Sequence, residues 1–230
     1  MPPGTVTPDN ANSAPFRLEP HQKRIHDRLH TLVGPGAADF YMDACRIMPI
    51  KPPFAATTHL VSHSLREVES ALRDVLESLT GPAAGGNDPE ENHRHELRSI
   101  LRALDINESE AVAQAWLTLP GDTGLQKRTH RDNLEASRPL DSKFIELWDQ
   151  MEAILEVVLE KFEGKYTGVF RTIDELTRKQ QPGRADANML IEHIPNNFVA
   201  RQRFFGSLPP SRTWLDMLRA RDIFKISPPI

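Results

Sequence analysis

The longest apolar pattern in the chain runs from Phe144 to Leu176. Its apolar residues recur at steps of three and four, which is the spacing of an α-helix with 3.6 residues per turn. Charged residues such as Glu152 and Glu156 fill most positions between them, so the pattern predicts one apolar face and one solvated face. The apolar stripe consists of Phe144, Trp148, Met151, Leu155, Val158, Phe162, Tyr166, Val169, Ile173 and Leu176.

Two glycines interrupt this stripe. Gly164 and Gly168 lie one turn apart, and glycine inside a helix costs about 1 kcal/mol relative to alanine. The pair predicts a kink, a break into two helices or the close approach of a neighbouring helix. We expect one long helix that bends near Gly164, with a true break as the alternative.

A second stripe, from Val61 to Leu79, steps by four and three in the same way. Thr57 or Thr58 can cap the helix that it predicts, and Gly81-Pro82 can end it. Because both long stripes need an apolar partner, we expect Trp148 to lie in the core against this second helix.

Shorter helical patterns fill the rest of the chain, and no segment alternates as a strand would. The sequence therefore predicts an all-α fold: an irregular multi-helix bundle built on the two long amphipathic helices, with short helix pairs at the carboxyl end. The shorter helices are expected at 21–33, 37–48, from Pro89 after an Asp88 cap, through Leu119 after an Asn107 cap that forms a capping box with Glu110, at 125–134 and in three pieces after Gln181.

Composition suggests three parts. Residues 1–18 are rich in Pro, Ser, Asn and Thr without periodicity, which predicts a disordered leader. Residues 19–180 form the helical bundle on this interpretation. Residues 181–230 form a short helical carboxyl-terminal subdomain that packs on the long helix.

The bulk properties exclude several classes of protein. The 230 residues carry a net charge of −4, which argues against a surface built entirely for nucleic acid. Cys45 is the only cysteine, so the chain forms no internal disulfide and no cysteine-based zinc cage. No secretory signal pattern and no apolar run of membrane-spanning length occurs. We expect a cytoplasmic protein with no membrane segment and no cofactor.

His59 and His63 are the candidate metal ligands. They lie four residues apart on the second helix, which is a metal-ligand spacing, and Glu67 follows one turn later. A zinc site would need a further ligand from another element, and the sequence names none. The alternative is that both histidines lie on a solvated face or at a polar interface.

The densest basic patch contains Lys127, Arg128 and Arg131. No aromatic residue is interleaved, so the patch lacks the stacking platform that single-stranded nucleic acid uses. We expect a solvated face paired with acidic residues of the long helix, and a nucleic-acid partner is not favoured.

Arg24 and His30 have the Arg-x5-His spacing that resembles the HEPN ribonucleases. In that family two helical protomers bring Arg and His together to polarise the ribose 2′-hydroxyl and the phosphate. The resemblance implies a metal-independent ribonuclease that acts as a dimer. The polar residue that often follows the family's Arg is Ile25 here, which weakens the match.

The carboxyl end is unusually rich in large apolar residues. Two or three short helices cannot bury them all among themselves, so we expect some of them to dock on the long helix near Tyr166 and Phe170. The others should form an incomplete interface, since contiguous exposed apolar patches usually mark interaction sites. The candidate interaction residues are Phe205, Trp214, Leu218, Phe224 and Ile226.

A broader resemblance covers about half of the chain. The run from Thr57 to Glu69, and the tail from Ile194 through Phe205, Trp214 and Phe224, resemble helical modules of large uncharacterised bacterial proteins. The terminal helix pairs are similar to the start of a HEAT-like solenoid. The resemblance implies the amino-terminal helical region of a longer protein, with no assigned catalytic motif.

These patterns favour a non-catalytic helical interaction or scaffold module. Its expected partner is another protein or a following domain. The alternative is the HEPN-like ribonuclease, which would require Arg24 and His30 to meet across a two-fold axis.

Overall fold

The computed structural model describes residues 16–51, 53–77, 80, 89–119, 138–179, 183, 185–186 and 188–189. This part of the chain contains six named helices and no strand, so the all-α prediction is confirmed. The helices are α1 Pro20–Leu32, α2 Pro35–Ile47, α3 Thr57–Glu77, α4 Pro89–Ala103, α5 Ala111–Thr118 and α6 Ser142–Thr177.

Helix α6 is the long predicted helix, and Asp141 caps its amino end. The Asp141 side chain accepts a hydrogen bond from the Phe144 backbone N–H at 2.9 Å, which satisfies one of the donors that a helix leaves unpaired. The helix continues for 36 residues without a break, so the alternative of two helices is wrong. A Cβ atom added at Gly164 or Gly168 would have no neighbour within 4 Å, so no described helix approaches closely there.

The predicted stripe of α6 lies in the core. Phe144, Met151, Leu155, Val158 and Phe162 are completely buried, and Leu159 and Ile154 widen the buried face. Near its far end, rings of Phe162, Tyr166 and Phe170 follow one another at 4.6 Å and 5.7 Å. One continuous cluster of buried side chains joins all six helices.

The packing partners of the two long helices differ from the prediction. Among the described residues, α6 packs mainly against α1 and α5. Helix α3 packs mainly against α2 and α4, so it is not a main packing partner of α6. Trp148 is buried, but its ring stacks on Tyr41 of α2 at 6.2 Å with an interplanar angle of 2°. Helix α2 therefore supplies the ring that stacks on Trp148.

Helix α1 runs in the same direction as α6. His21, Arg24 and Arg28 of α1 pair in turn with Glu152, Glu156 and Glu163 of α6, so both helices advance together along the seam. We call these three pairs the α1–α6 ladder.

A tight turn then brings α2 back along α1. Gly34 adopts φ 148° and ψ 163°, a conformation that is essentially restricted to glycine.

The predicted capping arrangement at Asn107 forms a turn before α5. The Glu110 side chain accepts from the Asn107 backbone N–H at 2.8 Å, but the Asn107 side chain accepts from the Ser109 N–H, and the Glu110 N–H donates to the Asn107 backbone carbonyl. Glu110 consequently occupies the N-cap position in place of Asn107, and α5 begins at Ala111, three residues later than predicted.

The proposed domain divisions lie mainly outside the described residues. At the amino side, Leu18 already packs partly against the core, directly before α1. Residues 1–15 and almost all of 181–230 are not described, so the leader and the carboxyl-terminal subdomain stay predictions.

Candidate functional site

The two candidate metal ligands lie in different surroundings. His63 is half-exposed, and its ring meets the edge of Phe40 with centroids 6.3 Å apart. Arg66 Nη2 lies 3.4 Å from His63 Nδ1, and Glu67 lies 3.8 Å away. His59 Nδ1 is buried and makes no hydrogen bond within the described residues. No group of three or more potential ligands that could hold a metal ion occurs in this part of the chain.

Arg24 and His30 lie at different positions of α1 and have different surroundings within one protomer. The Arg24 guanidinium belongs to the α1–α6 ladder, with Nη2 donating to Glu156 Oε1 at 2.6 Å. His30 is exposed at the other end of α1. The HEPN-like hypothesis requires a second protomer to bring the two side chains together, and it stays a prediction.

The basic patch and the carboxyl-terminal interaction residues cannot be placed. Lys127, Arg128 and Arg131 lie outside the described residues, as do Phe205, Trp214, Leu218, Phe224 and Ile226.

A buried carboxylate connects α1, α2 and α6. It belongs to Glu152, which the sequence pattern placed on the solvated face of the long helix. Glu152 is only 9% exposed. Its Oε1 accepts from Tyr41 Oη at 2.8 Å and from Gln22 Nε2 at 3.0 Å, and its Oε2 lies 3.0 Å from His21 Nε2. These four residues form the Glu152 cluster, whose hydrogen bonds offset the cost of burying the carboxylate.

The Glu152 cluster contains no activated nucleophile. Burial raises the pKa of the Tyr41 phenol far above its usual value. Burial also raises the pKa of the neighbouring Cys45 thiol to about 12, so Cys45 stays protonated at neutral pH. Because the thiolate is the reactive form of cysteine, Cys45 has the properties of a buried packing residue.

A second buried polar group joins α3, α4 and α5. Glu69 is 7% exposed, and it accepts from the indole Nε1 of the fully buried Trp116 at 3.3 Å. Arg73 Nη1 lies 3.2 Å from His93 Nδ1 and donates to Glu96 Oε2 at 3.1 Å. We call Glu69, Arg73, His93, Glu96 and Trp116 the Glu69 cluster.

Burial raises the pKa of the Glu96 carboxyl, while the positive charge of Arg73 acts in the opposite direction. The Glu69 cluster therefore holds a carboxylate that ionises less readily than an ordinary glutamate. Such shifts occur at functional sites and also in structural ion-pair networks.

An apolar surface remains on the outer side of α2 and α3. Phe40 and Leu60 are about two-fifths exposed, and the half-exposed His63 lies against Phe40. Leu60 and His63 are three residues apart and are neighbours on α3. We call Phe40, Leu60 and His63 the α2–α3 surface. Charge pairs of both signs lie near it, namely Asp43 with Arg46 and Glu67 with Arg66.

An open cleft of about 400 Å³ lies between the carboxyl end of α1 and the last turns of α6. Leu32 and Phe170 supply its apolar lining, while Glu163, Asp174 and Glu175 outnumber the two arginines, Arg171 and Arg178. The mixed charges give the cleft no clear preference for an anion or a cation.

Comparison with models of known families, with curated proteins and with solved structures finds no match. The resemblances to bacterial helical modules and to HEPN ribonucleases therefore stay predictions. No helix within the described ranges is long and apolar enough to cross a membrane.

Proposed function

We propose that the chain is a non-catalytic helical module that binds another protein through the α2–α3 surface. The observation that carries the proposal is the exposure of two large apolar side chains, Phe40 and Leu60, around His63 on adjacent helices. Exposed aromatic and apolar groups surrounded by polar residues are characteristic of protein-binding sites.

The charges around the α2–α3 surface favour a protein over a nucleic acid. Arg46 pairs with Asp43, and Arg66 pairs with Glu67, so each positive charge is accompanied by a negative one. Nucleic-acid binding depends on net positive charge that neutralises phosphates. A rim of mixed charges is typical of protein–protein interfaces. The partner should therefore present an apolar anchor that packs against Phe40.

The two buried polar groups support the same proposal. The Glu152 cluster and the Glu69 cluster connect helices, and their carboxylates are engaged by side chains of the protein itself. Neither supplies a group poised to attack a substrate. The chemistry visible in the described residues serves the assembly of the bundle.

Binding partners can be tested with single substitutions on the surface. The tagged protein is used to capture proteins from the native host, and an identified partner is then purified and titrated against Phe40→Ser and Leu60→Ser. We expect each substitution to weaken binding at least tenfold, because buried aromatic anchors dominate interface energies. Ile145→Ser is the matched control, since Ile145 is also exposed and apolar but belongs to α6.

The same titration separates the two proposed interaction surfaces. Unchanged affinity in Phe40→Ser and Leu60→Ser, with loss in Phe224→Ser or Ile226→Ser, would reject the α2–α3 surface in favour of the predicted carboxyl-terminal one. An equal loss in Ile145→Ser would show that binding is a nonspecific hydrophobic effect.

A further inference from the structure

The hydrogen bond between Arg73 and His93 fixes the protonation state of the histidine. A guanidinium group can only donate hydrogen bonds, so the His93 Nδ1 atom that lies 3.2 Å from Arg73 Nη1 must be the acceptor. In this arrangement His93 is neutral and carries its proton on Nε2. The described geometry is therefore that of one specific tautomer.

The other side of the His93 ring faces a carboxylate. His93 Nε2 lies 3.5 Å from Glu69 Oε1, and this buried nitrogen makes no hydrogen bond within the described residues. Arg73 Nε is also buried without a hydrogen bond there, at 3.9 Å from the same oxygen. A buried donor without an acceptor costs about 1–3 kcal/mol. The neutral ring thus leaves two donors poorly satisfied beside Glu69.

A second proton on the His93 ring would change its contacts with both Arg73 and Glu69. Protonated imidazole has an N–H at both nitrogens, so Nδ1 would lose its bond from Arg73 and two cations would lie 3.2 Å apart. On the opposite side, the positive ring would form a charge pair with the Glu69 carboxylate.

The other groups that face the ring determine how it responds. Arg73 and Glu69 come from α3, Glu96 comes from α4, and α5 contributes the uncharged indole of Trp116. Glu77 of α3 adds a further negative charge near Glu96. Glu69 and Glu96 can therefore pair with either Arg73 or a protonated His93. Arg73, however, cannot keep its hydrogen bond to a protonated His93.

We propose that His93 is a proton-controlled switch at the α3–α4 junction: the neutral ring accepts a hydrogen bond from Arg73, whereas the protonated ring releases Arg73 and pairs with Glu69. Histidine is suited to this role because its ordinary titration range lies near physiological pH. The inference is independent of the proposed protein-binding function.

The test uses NMR spectroscopy of the full ¹⁵N-labelled chain at about pH 7.5 and about pH 5, on either side of the ordinary histidine range. At the higher pH we expect His93 to be the Nε2–H tautomer and the Arg73 guanidinium to rotate slowly, with resolved Nη signals. At the lower pH we expect its rotation to accelerate at least tenfold and the Nη signals to merge.

Two matched substitutions identify the group responsible. His93→Asn places an amide oxygen near the Nδ1 position, so it retains an acceptor for Arg73 but cannot gain the proton. We expect it to abolish the pH dependence of Arg73. His95→Asn makes the same change at an exposed position of α4 and should behave as the wild type.

Three results would overturn the proposal. They are an Nδ1–H tautomer at the higher pH, an Arg73 rotation rate that is equal at both pH values, and an unchanged pH response in His93→Asn. The first two are measured on the wild-type protein, so the proposal remains falsifiable if the His93→Asn variant does not fold.

Discussion

At the scale of single residues, Gly34 and Gly36 differ in whether their backbone conformation requires glycine, although they are only two positions apart. Gly34 has φ 148° in the turn before α2, where a side chain is strained whatever space surrounds it. Gly36 lies in the first turn of α2, and a Cβ there would meet nothing within 4 Å among the described residues. We expect Gly34→Ala to destabilise the fold by about 1–3 kcal/mol.

Gly36→Ala is the matched control for this prediction. It should leave the free energy of unfolding unchanged or raise it by up to about 1 kcal/mol, because alanine loses less backbone entropy on folding. Denaturant unfolding measures both variants. A Gly34→Ala protein as stable as Gly36→Ala would show that the turn does not require the glycine conformation.

The Glu96 carboxyl gives stability a distinctive pH dependence. The ordinary pKa of a glutamate carboxyl is near 4.5, and burial raises the pKa of Glu96 above this value in the folded protein. Between these two values the folded state binds more protons than the unfolded state, so the contribution of Glu96 to stability falls as pH rises. The free energy of unfolding of Glu96→Gln relative to wild type should therefore be higher at neutral pH than at pH 4. Denaturant unfolding at both pH values measures this difference.

Asp27 provides a comparison of opposite sign. A hydrogen bond from Lys23 lowers the pKa of the Asp27 carboxyl from its ordinary value near 3.8. The contribution of Asp27 is present above that value and is lost as pH falls through the lowered pKa. Glu96→Gln and Asp27→Asn should thus give differences from wild type that change with pH in opposite directions. The same sign in both would contradict the effect of burial at Glu96.

At the scale of helices, Trp148 should anchor α6 to α2. It is 6% exposed and stacks on the fully buried Tyr41 ring. We expect Trp148→Ala to lower the free energy of unfolding by about 3–5 kcal/mol, the usual cost of truncating a buried aromatic side chain.

Ile145 tests whether that cost belongs to the core contact. It precedes Trp148 by one turn on the same helix but is 46% exposed. Ile145→Ala should change stability by less than about 0.5 kcal/mol. A Trp148→Ala loss below about 1 kcal/mol would mean that the α2–α6 contact contributes little to the fold.

The glycines of α6 should be replaceable. A Cβ at Gly164 or Gly168 would meet no described residue within 4 Å, and both glycines lie inside α6. Gly164→Ala and Gly168→Ala should each raise the free energy of unfolding by about 0.5–1 kcal/mol, seen as a higher thermal midpoint. Destabilisation by either alanine would indicate that another helix approaches α6 at these positions.

At the scale of the whole molecule, the sequence predicts the helices better than their neighbours. The stripes of α3 and α6 depend on local spacing, so they can be predicted from sequence. The choice of Tyr41 as the stacking partner of Trp148 cannot, because an apolar stripe does not specify which other stripe covers it.

The buried carboxylates show a second limit. Glu152 follows Trp148 by four positions and precedes Leu155 by three, so it lies on the apolar stripe itself; Glu69 has the same relation to Leu65 and Leu72. This spacing is the signal that could have identified both residues as buried. Their partners come from other helices, and only the assembled fold shows that those hydrogen bonds exist.

The α1–α6 ladder has a consequence for the order in which the protein acquires its structure during synthesis. Arg24 pairs with a residue 132 positions later, and Arg28 with one 135 positions later. At about 5–20 residues per second, a ribosome needs roughly 7–27 s to make that intervening length. Helix α1 must wait for this time without α6, one of its two main packing partners, although α2 follows it directly in the chain. Nascent chains stalled before Ser142 should therefore be cut by protease within α1, whereas chains released after α6 should be protected.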